Sequence, residues 1–239
     1  MNEPNENTME RHAVISESVY MKPSERQSYV NQHYPDEYKM LGEHTSDSYS
    51  AYKHIPSDKV VFGIRGTDIT NEQGGRAKDL GEDALIIFGL DNLSSRTKES
   101  DKKLQELIGE YGKDNITLAG HSLAGNISQA LSIKHGVESH AFNPGSSPYS
   151  TRNKIYQYLG SSQARKRAKN NHVYYTKLKG SSLDWLSVSG LAHPLQNTHL
   201  IPQKNLSKEK GGVLSAHSIH HFHPEDKTSS NPLEIQGWD

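Results

Sequence analysis

The chain has 239 residues, a formal net charge of −1 and no cysteine. This length suits one α/β domain with a sizeable core. The near-neutral charge gives no field that would recruit nucleic acid, and the lack of cysteine excludes disulfides and cysteine nucleophiles. No apolar run approaches the roughly 18 residues of a membrane-spanning helix, and residues 1–9 lack the apolar segment of a signal peptide. We therefore expect a cytoplasmic location, or a virion location if the source is viral, and no nucleic-acid partner.

The first part of the chain changes character after about ten residues. Residues 1–10 are polar and are predicted to form a disordered N-terminal tail. Residues 11–239 are predicted to form a single α/β-hydrolase-like domain. Its first segment, residues 11–45, mixes helical spacing with Pro23 and Pro35, which indicates short helices packed on the outside.

Strands and helices alternate over the rest of the chain, which predicts a mostly parallel central sheet covered by helices on both faces. Short apolar runs bounded by turn residues indicate the strands, and apolar residues at helical spacing indicate the helices. The predicted elements after residue 45 are strands at Ser48–Lys53, Lys59–Arg65, Ser139–Asn143 and His172–Leu178, and helices at Asp79–Phe88, Thr97–Tyr111 and Leu123–His135.

The segment Asn115–Gly125 carries the most informative chemical pattern. A short buried strand is followed by Gly120, by Ser122 and then by small residues that open a helix. This is the layout of a nucleophile elbow, in which a sharp strand-to-helix turn holds a serine in a strained conformation and lifts its hydroxyl clear of the sheet. Ser122 is therefore the predicted nucleophile, with Ala124 standing where the usual motif has its last glycine.

A serine nucleophile needs an acid and a base, which follow it in that order along α/β-hydrolase-like chains. Three acids lie between Ser122 and the terminal histidines: Glu138, Asp184 and Glu209. Glu138 begins a strand, which is the wrong end for catalysis, and Glu209 lies in a Lys-rich loop. Asp184 follows a predicted strand and a turn of small residues, so it is the predicted acid.

The base is less closely defined, because many histidines follow Asp184. His217 is the predicted base, since it comes just after a flexible loop and before a segment that a short helix would present. His220 is the second choice. The histidines considered were His193, His199, His217, His220, His221 and His223.

The oxyanion hole of such an enzyme is formed by two backbone N–H groups. One belongs to the residue after the nucleophile, which is Leu123. The second is expected from a loop that leaves an earlier strand, and Gly66-Thr67 after the strand Lys59–Arg65 supplies it. Thr67 also offers a side-chain hydroxyl.

A metal site is the competing interpretation of the histidine cluster. Four histidines lie between positions 217 and 223, but no acidic residue lies among them. We therefore expect no metal ligand in this cluster and no cofactor.

Taken together, these motifs resemble the class-three lipase family of serine acyl hydrolases. The resemblance covers roughly residues 48–222, and its departures, Ala124 and Asn143, lie where Gly is more usual. It implies Ser122 as nucleophile, Asp184 and His217 as its partners, and Thr67 with Leu123 as oxyanion donors. The motifs that carry it are Ile64-Arg-Gly-Thr67, Gly120-His-Ser-Leu123, Ala141-Phe-Asn-Pro-Gly145, Asp184-Trp-Leu-Ser187 and His217-Ser-Ile-His-His-Phe222.

The resemblance implies a serine-dependent carboxylic ester hydrolase of the lipase or phospholipase type, similar to intracellular bacterial, phage and large-virus relatives. The segment Asp68–Lys78, where a lipase lid is expected, is polar and Gly-rich. This favours a phospholipid or a small ester as substrate, with transient contact to a membrane surface, over triacylglycerol droplets. The alternative is a catalytically degenerate hydrolase fold that acts as a binding or structural protein, for instance in a virion.

Overall fold

The computed structural model describes residues 6–66, 90–144, 162–177, 197–202 and 218–224. The helices in this part of the chain are α1 (Glu6–Ser18), α2 (Pro23–His33), α3 (Leu90–Tyr111), α4 (Leu123–His135) and α5 (Ser162–Ala168), with the 3-10 helices η1 (Lys113–Asn115) and η2 (Ile219–Phe222). The strands are β1 (Tyr38–Ser46), β2 (Tyr49–His54), β3 (Val60–Ile64), β4 (Ile116–His121), β5 (Glu138–Phe142), β6 (Asn171–Lys177) and β7 (Asn197–Pro202).

The seven strands of the described residues form one sheet, in the same order as in the chain. β1, β2 and β3 pair antiparallel, whereas β3 to β7 pair parallel. Parallel strands bring their carboxyl ends to one edge of the sheet, where open α/β sheets bind their ligands. The predicted α/β class with a mostly parallel sheet is confirmed, and the architecture is consistent with an α/β-hydrolase-like fold.

Helices cover both faces of the sheet, because alternate residues of each central strand point to opposite sides. Phe62 of β3 belongs to a buried cluster with Leu107 of α3 and Ile127 of α4. Its neighbour Val61 belongs to a different cluster with Val14 of α1. All five residues of β3 are buried, as expected for a strand with a core on each side.

Several predicted elements are confirmed. The two antiparallel strands lie at β2 and β3, and the strands at β5 and β6 agree with the prediction within one residue at each end. The helix after Ser122 has the predicted bounds, and the helix predicted at Thr97–Tyr111 begins earlier, at Leu90. The helix predicted at Asp79–Phe88 lies outside the described residues.

The N-terminal region differs from the prediction in two ways. Helix α1 begins at Glu6 and buries Met9, so the prediction of disorder is wrong for residues 6–10. The second difference is β1, a nine-residue strand that the prediction of short helices over residues 11–45 missed.

The face of the sheet under α1 carries a row of imidazoles. The ring of His12 in α1 stacks on His140 of β5, with ring centroids 3.9 Å apart. His140 stacks on His172 of β6 at 5.1 Å, and His172 stacks on His199 of β7 at 5.6 Å. The row therefore crosses three neighbouring strands.

Burial keeps the inner part of this row neutral. Burial and charge repulsion from His140 lower the pKa of His12 well below its ordinary value of 6.5. Burial and repulsion from His172 and His199 do the same to the pKa of His140. Burial also lowers the pKa of His172. The folded protein therefore binds fewer protons at these positions than the unfolded chain.

Among the described residues, no helix combines the length and the apolar composition needed to cross a lipid bilayer.

We expect the free energy of unfolding to fall as the pH is lowered from 8 to 5. The unfolded chain takes up protons at these histidines below about pH 6.5, while the fold resists protonation, so each one contributes up to about 1.4 kcal/mol per pH unit. Urea denaturation at several pH values measures this slope. His140→Gln, which removes one of these titrating groups, should give a shallower slope, and equal slopes in both proteins would contradict the assignment.

Candidate active site

The turn between β4 and α4 has the strained backbone that a nucleophile elbow requires. Ser122 occupies it with φ of 56° and ψ of −125°, which lies in a region that non-glycine residues rarely adopt. Its N–H donates to the carbonyl oxygen of Phe142 in β5 at 3.0 Å, and its own carbonyl accepts from Gly125. The strained residue is therefore held by hydrogen bonds on both sides.

Two glycines allow the helix to pass this close to the strand. A Cβ atom on Gly120 would lie 2.4 Å from the carbonyl oxygen of Ala124, which is a backbone atom that cannot move aside. A Cβ on Gly125 would lie 3.0 Å from Pro144 and 3.2 Å from the carbonyl oxygen of Gly120. The close approach therefore falls on Gly120 and Gly125, which explains why Ala124 is tolerated where the usual motif has glycine.

The hydroxyl of Ser122 is buried and has no hydrogen-bond partner among the described residues. It does not cap the helix, although Ser122 stands at the N-cap position of α4. Four of the histidines considered for the base lie among the described residues, and none of them hydrogen-bonds to this hydroxyl: His199, His220, His221 and His223. Buried polar atoms are almost always paired, so an unpaired hydroxyl at a strained turn calls for a functional explanation.

The first residues of α4 place positive electrostatic potential beside this hydroxyl. The leading N–H groups of a helix have no partner within the helix, and the helix dipole adds to their partial charge. Leu123 is the first residue of α4 and is buried. Its position is that of the predicted oxyanion donor.

The end of β3 lies next to the elbow. Ile64 of β3 is in register with Gly120 of β4, and a Cβ on Gly66 would lie 2.9 Å from the carbonyl oxygen of His121. The carbonyl of Gly66 accepts a hydrogen bond from Arg96 of α3 at 2.5 Å. Thr67, the other predicted oxyanion donor, directly follows Gly66 and lies outside the described residues.

The carboxyl end of β5 is fixed to β6 through Asn143. This residue has a positive φ of 38°, a conformation that glycine adopts most readily and that asparagine also tolerates. Its side chain accepts from the N–H of Thr176 at 2.9 Å and donates to the hydroxyl of Thr176 at 3.0 Å. Asn143 thus fits the backbone that a glycine would occupy and adds a link to β6, the last described strand before Asp184.

Helix η2 packs beside the elbow through Phe142. The ring of Phe222 lies 5.1 Å from the ring of Phe142, whose carbonyl accepts the N–H of Ser122. The structure describes residues 162–177, 197–202 and 218–224 in this part of the chain. The predicted acid Asp184 and the predicted base His217 therefore both lie outside the described residues. The same holds for His193.

Two residues of the N-terminal segment contact elements beside the elbow and were not predicted. Tyr20, just after α1, donates from its hydroxyl to the carbonyl oxygen of His121 at 3.4 Å. Glu17 in α1 is buried near η2, where His223 and His220 outweigh the effect of burial and lower the pKa of Glu17 to about 2. No local sequence pattern marks either residue, because both reach these elements only through the packing of α1 on the sheet.

The sequence comparisons identify a family. Residues 84–205 match the model of an uncharacterised protein family, UPF0227. The chain belongs to this family. The matched region contains Ser122 and Asp184 but ends before His217, and the family carries no assigned activity. No curated protein matches the chain.

We expect Gly120→Ala to destabilise the protein by about 3 kcal/mol, because the added methyl group would clash with the backbone of α4. Gly109→Ala is the matched control, since nothing lies within 4 Å of the methyl group that it adds in α3. That control should gain about 0.5–1 kcal/mol from the better helix propensity of alanine. Urea denaturation of both variants measures the difference, and similar values for the two would refute the tight strand–helix contact.

Proposed function

We propose that this protein is a serine-dependent carboxylic ester hydrolase that works through an acyl-enzyme intermediate, as its resemblance to the class-three lipases implies. The observation that carries the proposal is the state of Ser122. Its hydroxyl is buried and unpaired among the described residues, and its backbone is held at a positive φ at the start of α4. A serine that only shaped a turn would need neither the strain nor an unpaired hydroxyl.

Asp184 and His217 are the proposed acid and base. Each is supported by the position of one described element next to it in the sequence, β6 before Asp184 and η2 after His217. β6 ends at Lys177 and is tied to the elbow region by the contacts between Thr176 and Asn143. η2 begins just after His217 and packs on Phe142 beside Ser122. Asp184 thus follows a strand, and His217 precedes a helix, that contacts the elbow region.

In the proposed reaction, Ser122 Oγ attacks the ester carbonyl carbon while His217 takes its proton. Asp184 orients the imidazole and stabilises its charged form. The N–H groups of Leu123 and Thr67 bind the oxyanion, each lowering the barrier by about 3 kcal/mol. The tetrahedral intermediate then expels the alcohol, which receives the proton from His217. Water, deprotonated by His217, releases the carboxylic acid and restores Ser122.

The proposed substrate is a phospholipid or a small ester. This part of the proposal rests on the sequence of residues 68–78, which is polar and Gly-rich. A lid of that composition would expose little apolar surface on opening, so it suits a substrate presented singly or in a membrane surface better than an oil droplet. The proposed chemistry needs no metal or organic cofactor.

Ser122→Ala should reduce hydrolysis of a short p-nitrophenyl ester by on the order of 10⁴-fold or more, because the nucleophile is lost. It should also abolish labelling by a fluorophosphonate probe. The matched control is Ser128→Ala on the same helix, which removes a buried hydroxyl bonded to the carbonyl of Gly125 and should keep the activity. Undiminished turnover by folded Ser122→Ala protein would refute the acyl-enzyme mechanism.

The choice of base is tested by comparing His217→Asn with His220→Asn in buffer that contains EDTA. The first variant should lose activity and the second should keep it. In the natural chain, activity should rise with pH as the base becomes neutral, with a midpoint near the reference value of about 6.5. If only His220→Asn lost activity, the base assignment would be wrong although the class of reaction would stand.

A further inference from the structure

Three metal-ligating side chains meet between α1 and η2. Nε2 of His223 lies 2.7 Å from one carboxylate oxygen of Glu17, and Nε2 of His220 lies 3.6 Å from the other. The three side chains each present one ligand atom, and these atoms all lie within 4.8 Å of one another. Glu17 and His223 have side chains that are 11% exposed, whereas His220 is 39% exposed. The cluster therefore opens to solvent on the side of His220.

The chemistry of this donor set fits a zinc ion. Zn²⁺ binds imidazole nitrogen and carboxylate oxygen at about 2.0–2.2 Å, and two histidines with one glutamate are a known three-residue set for it. Ligand atoms around such a tetrahedral ion lie about 3.3–3.6 Å apart, as follows from those bond lengths. The three ligand atoms of the cluster all lie within 4.8 Å of one another, so movements on the order of 1 Å would bring them to these separations and admit the ion.

A second layer of contacts orients the carboxylate. The hydroxyl of Tyr29 in α2 donates to Oε2 of Glu17 at 2.6 Å. The ring of His33, also in α2, lies edge-on to the ring of His223 with centroids 5.7 Å apart. Metal ligands are commonly fixed in this way by neighbours that do not touch the ion. Glu17 is thus held in place by a third element as well as by η2.

We propose that Glu17, His220 and His223 form a Zn²⁺-binding site that joins η2 to α1, with a water molecule as the fourth ligand. The sequence argued against a metal because no acidic residue lies among the terminal histidines. The fold supplies the missing acid from α1, about two hundred residues earlier. The site does not depend on the proposed hydrolase activity.

A second group of potential ligands serves as the internal control. Glu43, His44 and Glu110 also lie close together, but the two carboxylates are exposed and only one imidazole is present. Exposed acidic groups are common without a bound ion, so we assign no site to this group.

The experiment uses the full, untagged chain, stripped with EDTA and then exchanged into chelator-free buffer. Zn²⁺ is added in competition with a chromophoric chelator, and the melting temperature is followed in parallel. We expect one equivalent of Zn²⁺ to bind and the melting temperature to rise with free Zn²⁺, because a ligand that binds only the folded state stabilises it.

Variants locate the bound ion. Glu17→Gln and His223→Gln should abolish tight binding, and Tyr29→Phe should weaken it by about 10- to 100-fold. His220→Gln changes the most exposed ligand, so it should fold normally and still lose the ion. Glu110→Gln should bind Zn²⁺ as the natural chain does.

Three results would overturn the proposal. One is a folded natural chain that binds no Zn²⁺ and shows no shift in melting temperature. Another is unchanged affinity in folded His220→Gln protein. The third is loss of binding in Glu110→Gln, which would move the ion to the other group. Fluorophosphonate labelling of Ser122 in EDTA is read separately, so failure of either proposal leaves the other standing.

Discussion

The close contact between β4 and α4 is the constraint on which the rest of the site depends. The backbone of Ala124 lies where a side chain on Gly120 would be, and the chain passes from strand to helix through the single residue Ser122. That position takes a positive φ as a result. The strain is not a local preference of serine. It is imposed by the packing of a thirteen-residue helix on a central strand, and it is maintained because β4 and α4 are largely buried.

This constraint also explains which parts of the site could be predicted from sequence. The strand, the turn and the helix start are encoded within ten residues, by an apolar run, two glycines and a serine, so their positions were predicted correctly. The departures from the usual motif are resolved by geometry. Asn143 takes the positive φ that a glycine would adopt most readily. The close contact at the end of the motif falls on Gly125, so residue 124 can carry the methyl group of alanine.

The parts that were missed depend on contacts between distant segments. Helix α1 is rich in polar residues, and its apolar side chains divide between two clusters, Met9 with Phe142 in one and Val14 with Val61 in the other. Neither cluster can be recognised from the helix alone, so the first residues were mistaken for a disordered tail. Glu17 approaches the terminal histidines for the same reason. A carboxylate placed by tertiary packing leaves no spacing pattern in the sequence.

Phe142 connects the locally encoded elbow with the packing of η2. Its carbonyl holds the N–H of Ser122, while its ring packs against Phe222 of η2. Glu17 of α1 lies near His220 of η2 and near His223 just after it. Contacts that hold η2 against α1 therefore also help to hold it against β5, the strand whose Phe142 accepts the N–H of Ser122. A short 3-10 helix has too few internal hydrogen bonds to hold its own position, so its contacts with Phe142 and with α1 determine where η2 lies beside the elbow.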